Sequence, residues 1–293
     1  MEPRILDFKE KAVQTLSLNE LKSTVKEEDY NQNPLMGMFH YDYIEKAAEA
    51  VDKAGLNFEI DTIFAAQNRD KSRPGVSVIE KYRDEHGDGS VQSYLMRRIF
   101  ARIIITTLED DFTSTAIALS YNQLGFQLAF GPNVKICQNQ SIMGADKFMS
   151  TYQHENKMPT PERMIEVLGE WLGNFEEIRK KEIETIHSFE GVAVTHTDVL
   201  EMVGDLTAKR IRRDNSKEFP STEGIPPLNQ SQIGSLTKNY MLEKQENLDR
   251  VFNAWDMYNF ATNLYKPGST DFSLLLSSNA AMSQYLMNKF NLN

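Results

Sequence analysis

Residues 99–139 read IFARIIITTLEDDFTSTAIALSYNQLGFQLAFGPNVKICQN, and the order is strand, turn, strand, strand, turn, strand. Ile99, Phe100, Ile103, Ile104 and Ile105 form a nearly continuous apolar run, as a central strand requires. Phe126, Leu128 and Phe130 alternate with Gly125, Gln127 and Ala129, which predicts a strand with one polar face. Glu109-Asp110-Asp111 and Gly131-Pro132-Asn133 are expected to make the turns, because Asp, Gly, Pro and Asn carry the local geometry of a chain reversal. Connections that short imply antiparallel pairing.

On the amino-terminal side, Tyr41, Ile44, Ala47, Ala48, Val51 and Ala54 recur at helical spacing, and Gly55 stands where a left-handed cap would end the helix. Phe58, Ile60, Ile63 and Phe64 fit a strand over Leu56 to Ala66 packed beside that helix. Polar loops are expected at Asn68 to Gly75 and at Asp84 to Ser90, and residues 1–35 are expected to form an arm.

On the carboxyl-terminal side the composition changes after Met158. Thr160 is a plausible cap, Pro161 has the fixed φ that suits a first helical position, and Glu162 complements the positive helix end. A long amphipathic helix is expected from there, with Met164, Ile165, Leu168, Trp171, Leu172, Phe175 and Ile178 on one face. Glu166, Glu170, Glu176, Glu177, Glu182 and Glu184 fall on the others. Thr197 is expected to cap a further helix carrying Val199, Leu200, Val203, Leu206 and Ile211, and a loop with Pro220, Gly224, Pro226 and Pro227 divides it from the last helices. The fold class is therefore α+β, with an arm over 1–35, a sheet domain over 36–155 and a helical domain over 156–293.

The chain has 293 residues, 40% of them hydrophobic, enough to fill a core without staples. One cysteine leaves no internal disulfide and no Cys-rich zinc site, which fits a reducing, cytoplasmic setting. No signal-peptide pattern opens the sequence, and no apolar run approaches the roughly 20 residues of a membrane span. A net charge of −10 repels phosphate backbones, so a nucleic-acid site would need a local basic island.

Few residues carry recognisable chemistry. Histidines 40, 86, 154, 187 and 196 are never paired one helical turn apart toward a metal. Asp84-Glu85-His86-Gly87-Asp88-Gly89 has the outline of a calcium loop, yet its twelfth position is Leu95 where a bidentate carboxylate is required. No phosphate-cradling glycine loop and no Gly-x-Ser-x-Gly elbow occurs, and no cofactor is implied. The basic island is Lys209, Arg210, Arg212, Arg213 and Lys217. It fits either phosphate binding or simple complementarity to a helix carboxyl end. Trp255, Tyr258, Phe260 and Tyr265 read as core anchors, with Asn259 among them inviting a specific hydrogen bond.

Four segments carry a family resemblance: Leu119-Ser120-Tyr121-Asn122, expected as a turn; Phe130 to Asn139, which includes Cys137 and Asn139; Pro227 to Ile233; and Trp255-x-x-Tyr258-Asn259-x-x-Thr262. In their order and spacing the chain resembles phage- and plasmid-borne proteins of domain-of-unknown-function family 3871 and, more distantly, family 932. That pattern commonly has a second cysteine shortly after Cys137, whereas Ser141 and Ile142 stand here, so no thiol pair is implied. The resemblance implies a place on mobile genetic elements and carries over no catalytic residues. The expected function is a non-enzymatic accessory protein, expected to form homo-oligomers, that binds and inhibits a host defence complex of nuclease or ATPase type. A DNA-targeting nuclease system of the Gabija kind is one example. A DNA-binding replication or recombination accessory protein is the alternative, and an uncharacterised hydrolase the third reading.

Overall fold

The computed structural model describes residues 13–23, 38–61, 63–67, 97–109, 113–122, 125–134, 147–150, 160–214, 228–265 and 272–292. Seven strands pair antiparallel throughout: β1 (Val13–Leu16), β2 (Phe58–Ile60), β3 (Ile63–Gln67), β4 (Arg97–Ile105), β5 (Thr113–Asn122), β6 (Gly125–Val134) and β7 (Phe148–Ser150). Their order is β1-β3-β4-β5-β6-β7, and β2 lies beside the other end of β4. The α+β class expected from the sequence is what the chain adopts, a sheet in the first half and mostly helix in the second.

Around the sheet stand α1 (Leu18–Ser23), α2 (His40–Lys53), α3 (Pro161–Leu172), α4 (Phe175–Glu190), α5 (His196–Asp214), α6 (Gln230–Glu246), α7 (Ala254–Thr262) and α8 (Phe272–Phe290). A small antiparallel pair, β8 (Ala193–Val194) with β9 (Phe252–Asn253), joins the starts of α5 and α7. Within the first 35 residues β1 is an edge strand of the sheet and α1 packs beside α2, so this stretch is partly built into the fold.

Side chains alternate across the sheet, and each face has its own cluster. Ile99, Ile103, Ile105, Ile117, Leu119, Tyr121, Phe126, Leu128 and Phe130 face α2, α3 and the start of α4. Phe100, Ala116, Ala118 and Ala129 face the other way, toward α8 and the cluster of α5, α6 and α7. Packing thus crosses residue 155 on both faces.

That second cover corrects the expectation of a polar face on β6. Gln127 and Ala129 are both buried, because α8 lies over β4, β5 and β6. Gly131-Pro132-Asn133 is not a turn but the continuation of β6, paired with Thr115 and its neighbours on β5. The proline is tolerated because β7 accompanies β6 only over Gln127 to Ala129, which leaves Pro132 where the strand is an edge. Tyr121 likewise lies within β5, and the hairpin closes between Asn122 and Gly125.

The end of α2 follows the sequence reading. Gly55 has φ +70°, its N–H donates to Asp52 O, and that of Leu56 donates to Val51 O, a Schellman closure. The single strand expected over Leu56 to Ala66 is two, separated at Asp61, whose carboxylate takes the Arg102 guanidinium from β4. Arg102 Nη1 also donates to Asn133 Oδ1 at 2.8 Å, and Asn133 Nδ2 to Ser114 Oγ at 3.0 Å, which ties three neighbouring strands at one end of the sheet.

The starts of α3, α5, α6 and α7 are capped by side chains. Thr160 Oγ1 accepts from the Arg163 N–H at 3.2 Å, with Pro161 in the first turn as expected. The long helix is two, α3 and α4, broken at Gly173-Asn174, residues with poor helical propensity. The cap of α5 is Thr195 rather than Thr197. Its hydroxyl accepts from the Asp198 N–H, and the carboxylate is held below its usual range by the Thr195 hydroxyl, which donates to Asp198 Oδ2 at 2.6 Å, and by the Thr195 N–H, which donates to the same oxygen.

Candidate interaction surface

The connection from α6 to β9 is built to present apolar side chains outward. Leu248 and Val251 are 73% and 74% exposed, with Met241 and Leu242 of the last turns of α6 also exposed. The backbone around them is held from within. Lys244 Nζ donates to Leu248 O at 2.7 Å and to Arg250 O at 3.1 Å. Arg250 spans Glu243 Oε1 at 2.5 Å and Asp256 Oδ1 at 2.6 Å, and Asn247 Nδ2 donates to the same Glu243 oxygen.

Beneath the loop lies Phe252, almost fully buried against Tyr240, whose ring centroid is 5.1 Å away. The Arg250 guanidinium stands 5.0 Å and the Lys244 ammonium 5.9 Å from the Phe252 ring. Lys244 therefore serves two carbonyls and an aromatic face, and Arg250 two carboxylates and the same face. Each such exposed ion pair contributes little alone, but a fork that joins α6 to the cap of α7 restricts the loop. The cap is the Asn253–Asp256 box that starts α7.

The basic island is partly absorbed by its own fold. Lys209 Nζ lies 4.0 Å from Asp205 and 5.8 Å above the Tyr285 ring, and Arg210 Nη1 donates to Gln230 Oε1 at 3.0 Å. Arg212 is exposed, and Arg213 belongs to the last turn of α5. The Lys217 position lies outside the described residues, as do Cys137, Asn139 and the would-be calcium loop.

The other residues of the four segments singled out in the sequence do not converge. Tyr121 is buried in the first cluster, edge-on to His40 at 5.3 Å and to Phe126 at 4.9 Å, and burial pushes its phenol well above the usual range. Asn122 is the last residue of β5. Trp255 and Tyr258 belong to the second cluster, stacked on each other at 5.2 Å with Phe189 edge-on to both. Asn259 is half-buried, and its Oδ1 finds no partner among the described residues, contrary to the hydrogen bond expected of it.

One polar pair escapes the sequence reading altogether. Glu182, expected on a solvent face, is 8% exposed, and Arg179 one turn before it is 2% exposed. Glu182 Oε2 accepts from Thr115 Oγ1 at 2.8 Å, Arg179 Nη2 donates to Thr113 Oγ1 at 2.6 Å, and Arg179 Nη1 is 3.6 Å from Glu182. Burial pushes the Glu182 carboxyl up to about 7, against the lowering influence of the Thr115 hydroxyl and Arg179. The signal was available: Phe175, Ile178, Glu182, Ile186 and Phe189 share helical spacing, so Glu182 sits in an apolar row. Closed in between α4 and β5, the pair fastens the helix to the sheet and is walled off from any substrate.

An open groove of about 520 Å³ runs between α2 and α3, lined by Lys46, Glu49, Lys53, Ile165, Glu166 and Gly169. Charges of both signs rim it and none converge. Among the described residues no group of three His, Cys, Asp or Glu could hold a metal ion, and no helix is long and apolar enough to cross a membrane. Compared with known proteins, the chain matches no family model, no curated protein and no solved structure.

Proposed function

We propose that this chain is a non-enzymatic accessory protein of phages or mobile elements that binds a host anti-phage defence complex, of nuclease or ATPase type, and inhibits it by occupying its surface. The observation that supports this reading is the braced loop carrying Leu248 and Val251. Two branched side chains left three-quarters exposed forgo about 1.5–3 kcal/mol each that burial would supply. A partner that covers them gains that amount. Because Lys244 and Arg250 already hold the backbone, little ordering entropy is lost on contact. Met241 and Leu242 widen the apolar centre, and Glu243, Lys244, Asp249 and Arg250 supply a charged rim that selects orientation.

The test mixes the purified protein with a reconstituted defence nuclease complex of the Gabija kind and reads co-elution and DNA cleavage. A fixed-stoichiometry complex with suppressed cleavage is expected. The double change Leu248→Asp with Val251→Asp should weaken the complex at least 100-fold while leaving the thermal midpoint unchanged. Cleavage that continues unaffected, or a double variant that inhibits as well as the parent, overturns the reading.

The alternative, a DNA-handling protein, draws on the same α5 cations. Lys209 and Arg210 are engaged by neighbouring side chains and the chain carries −10 overall, which weighs against it. DNA affinity that falls steeply with salt, and vanishes on Arg210→Glu with Arg213→Glu, would establish that class instead.

A further inference from the structure

The outward face of α5 departs from what a surface helix ordinarily shows. Its inward positions are Val199, Met202 and Leu206, all buried. At 100° per residue the opposite line runs along Thr197, Gly204, Ala208 and Ile211 and passes between Leu200 and Glu201, so Glu201 is the one charged residue close to it. Leu200 and Ile211 are 48% and 50% exposed at its two ends. Gly204 and Ala208 are exposed between them, and a Cβ added to Gly204 would meet nothing within 4 Å. Apart from Thr197 and Glu201 this face is therefore apolar, bulky at Leu200 and Ile211 and smooth at the centre.

The charges beside this line are segregated along the helix. Asp198, Glu201 and Asp205 fall in the first half, Lys209, Arg210 and Arg212 in the second. Glu201, Asp205 and Arg212 lie on the same flank of the apolar line by helical geometry. Glu201 reaches Lys289 at 3.2 Å yet is 62% exposed, and Arg212 is exposed with no ion pair among the described residues.

Such a helix complements itself in only one direction. Side by side and parallel, a two-fold pair would set the flank of Glu201 and Arg212 against the partner's Leu200 and Ile211 and leave the charges unmatched. Turned antiparallel about an axis near Leu206, they set Leu200 against the partner's Ile211, Gly204 against the partner's Ala208, and Glu201 against the partner's Arg212. Every contact then occurs twice, as a two-fold interface demands. The small central residues let the two backbones approach while the large ends fill the space beyond them.

We infer that α5 is an antiparallel contact helix through which this protein pairs with a second copy of itself. The seam from Leu200 to Ile211 covers about 16 Å of helix, so the interface is small and the pairing reversible, in the micromolar range. The inference is independent of the loop at Leu248 and of the nature of any host partner.

Sedimentation equilibrium of the full chain between 1 and roughly 200 μM, in the concentration range set by that interface size, tests it. A monomer–dimer equilibrium is expected, weakened at least tenfold by Ile211→Asp and by Gly204→Leu, with thermal midpoints measured at low concentration unchanged. Glu201→Arg alone should weaken pairing, and adding Arg212→Glu in the same chain should restore it, since only the antiparallel arrangement rejoins the exchanged charges. A monomer at the highest concentration overturns the inference, and so does a dimer indifferent to Ile211→Asp or a charge exchange without recovery.

Discussion

The two faces of the central sheet are made from the same strands and built to opposite rules. Toward α2, α3 and α4 the strands present Ile103, Ile117, Leu119, Phe126, Leu128 and Phe130, large side chains that interdigitate with helices held at a distance. Toward α8 they present Ala116, Ala118, Ala129 and Gly131 beside the ring of Phe100, and α8 answers with buried Ser278, Asn279 and Ser283 between Leu276, Met282 and Leu286. One face is filled by bulk from the sheet, the other by letting a single helix come close. Volume changes should therefore hurt in opposite senses on the two sides.

The largest expected effect comes from emptying the first face. Phe130→Ala removes a fully buried ring that meets Trp171 at 6.0 Å, and should cost about 3–5 kcal/mol in chemical denaturation. A loss under about 1 kcal/mol would show that this face collapses freely around a void, and the contrast between faces would fall.

Next in size is the polar seam where α4 crosses the edge of that face. Because the Glu182 carboxyl titrates near 7 in the fold against 4.5 in the ordinary state, the folded protein binds the proton more tightly. Its contribution to stability is whole below pH 4.5 and is lost as pH rises through about 7, a change of about 3 kcal/mol. Urea midpoints followed from pH 4.5 to 8 for the parent and for Glu182→Gln should diverge by that amount, the variant lacking the decline. Parallel curves would refute the burial of this acid.

The comparison sharpens at adjacent residues of β5. Ala118→Leu, on the close-packed face, should cost about 1–3 kcal/mol by pushing α8 away, whereas Ile117→Val, on the other, should cost about 0.5–1.5 kcal/mol. Double variants that also trim α8, such as Ala118→Leu with Leu286→Ala, should show coupling, and simple additivity would argue that α8 does not lie over Ala118. Smallest is Thr160→Ala, which removes the cap of α3 and should lower stability by about 1 kcal/mol without touching either face.

What could be read in the chain was local. The apolar spacing of α2, its glycine closure at Gly55 and the Thr160-Pro161 start are decided by residues a few positions apart, and all three stand as expected. What could not be read depends on neighbours distant in sequence. Gln127 looked solvent-facing because nothing near it announces α8, and Gly131-Pro132-Asn133 looked like a turn because the pairing with Thr115 and Ser114 that extends β6 is a tertiary fact. Asp198 shows a finer failure: with threonines at both 195 and 197, only the reciprocal bond to Thr195 decides which one opens α5. Of the candidate surface, the exposed Leu248 and Val251 were invisible because sequence does not reveal which apolar residues a fold leaves outside. The basic residues were legible as a cluster, but not their engagement by Asp205, Tyr285 and Gln230.

The covering of the alanine face by α8 bears on how the protein is made. During synthesis β4, β5 and β6 leave the ribosome long before Phe272–Phe290 does, at roughly 5–20 residues per second. For those seconds the nascent sheet can cover only one side, and its alanine-lined side is bare to solvent or to whatever chaperone waits at the tunnel exit. A stop codon ahead of α8 would turn that passing exposure into a permanent one, so truncated products should be cleared by proteolysis or accumulate as aggregates.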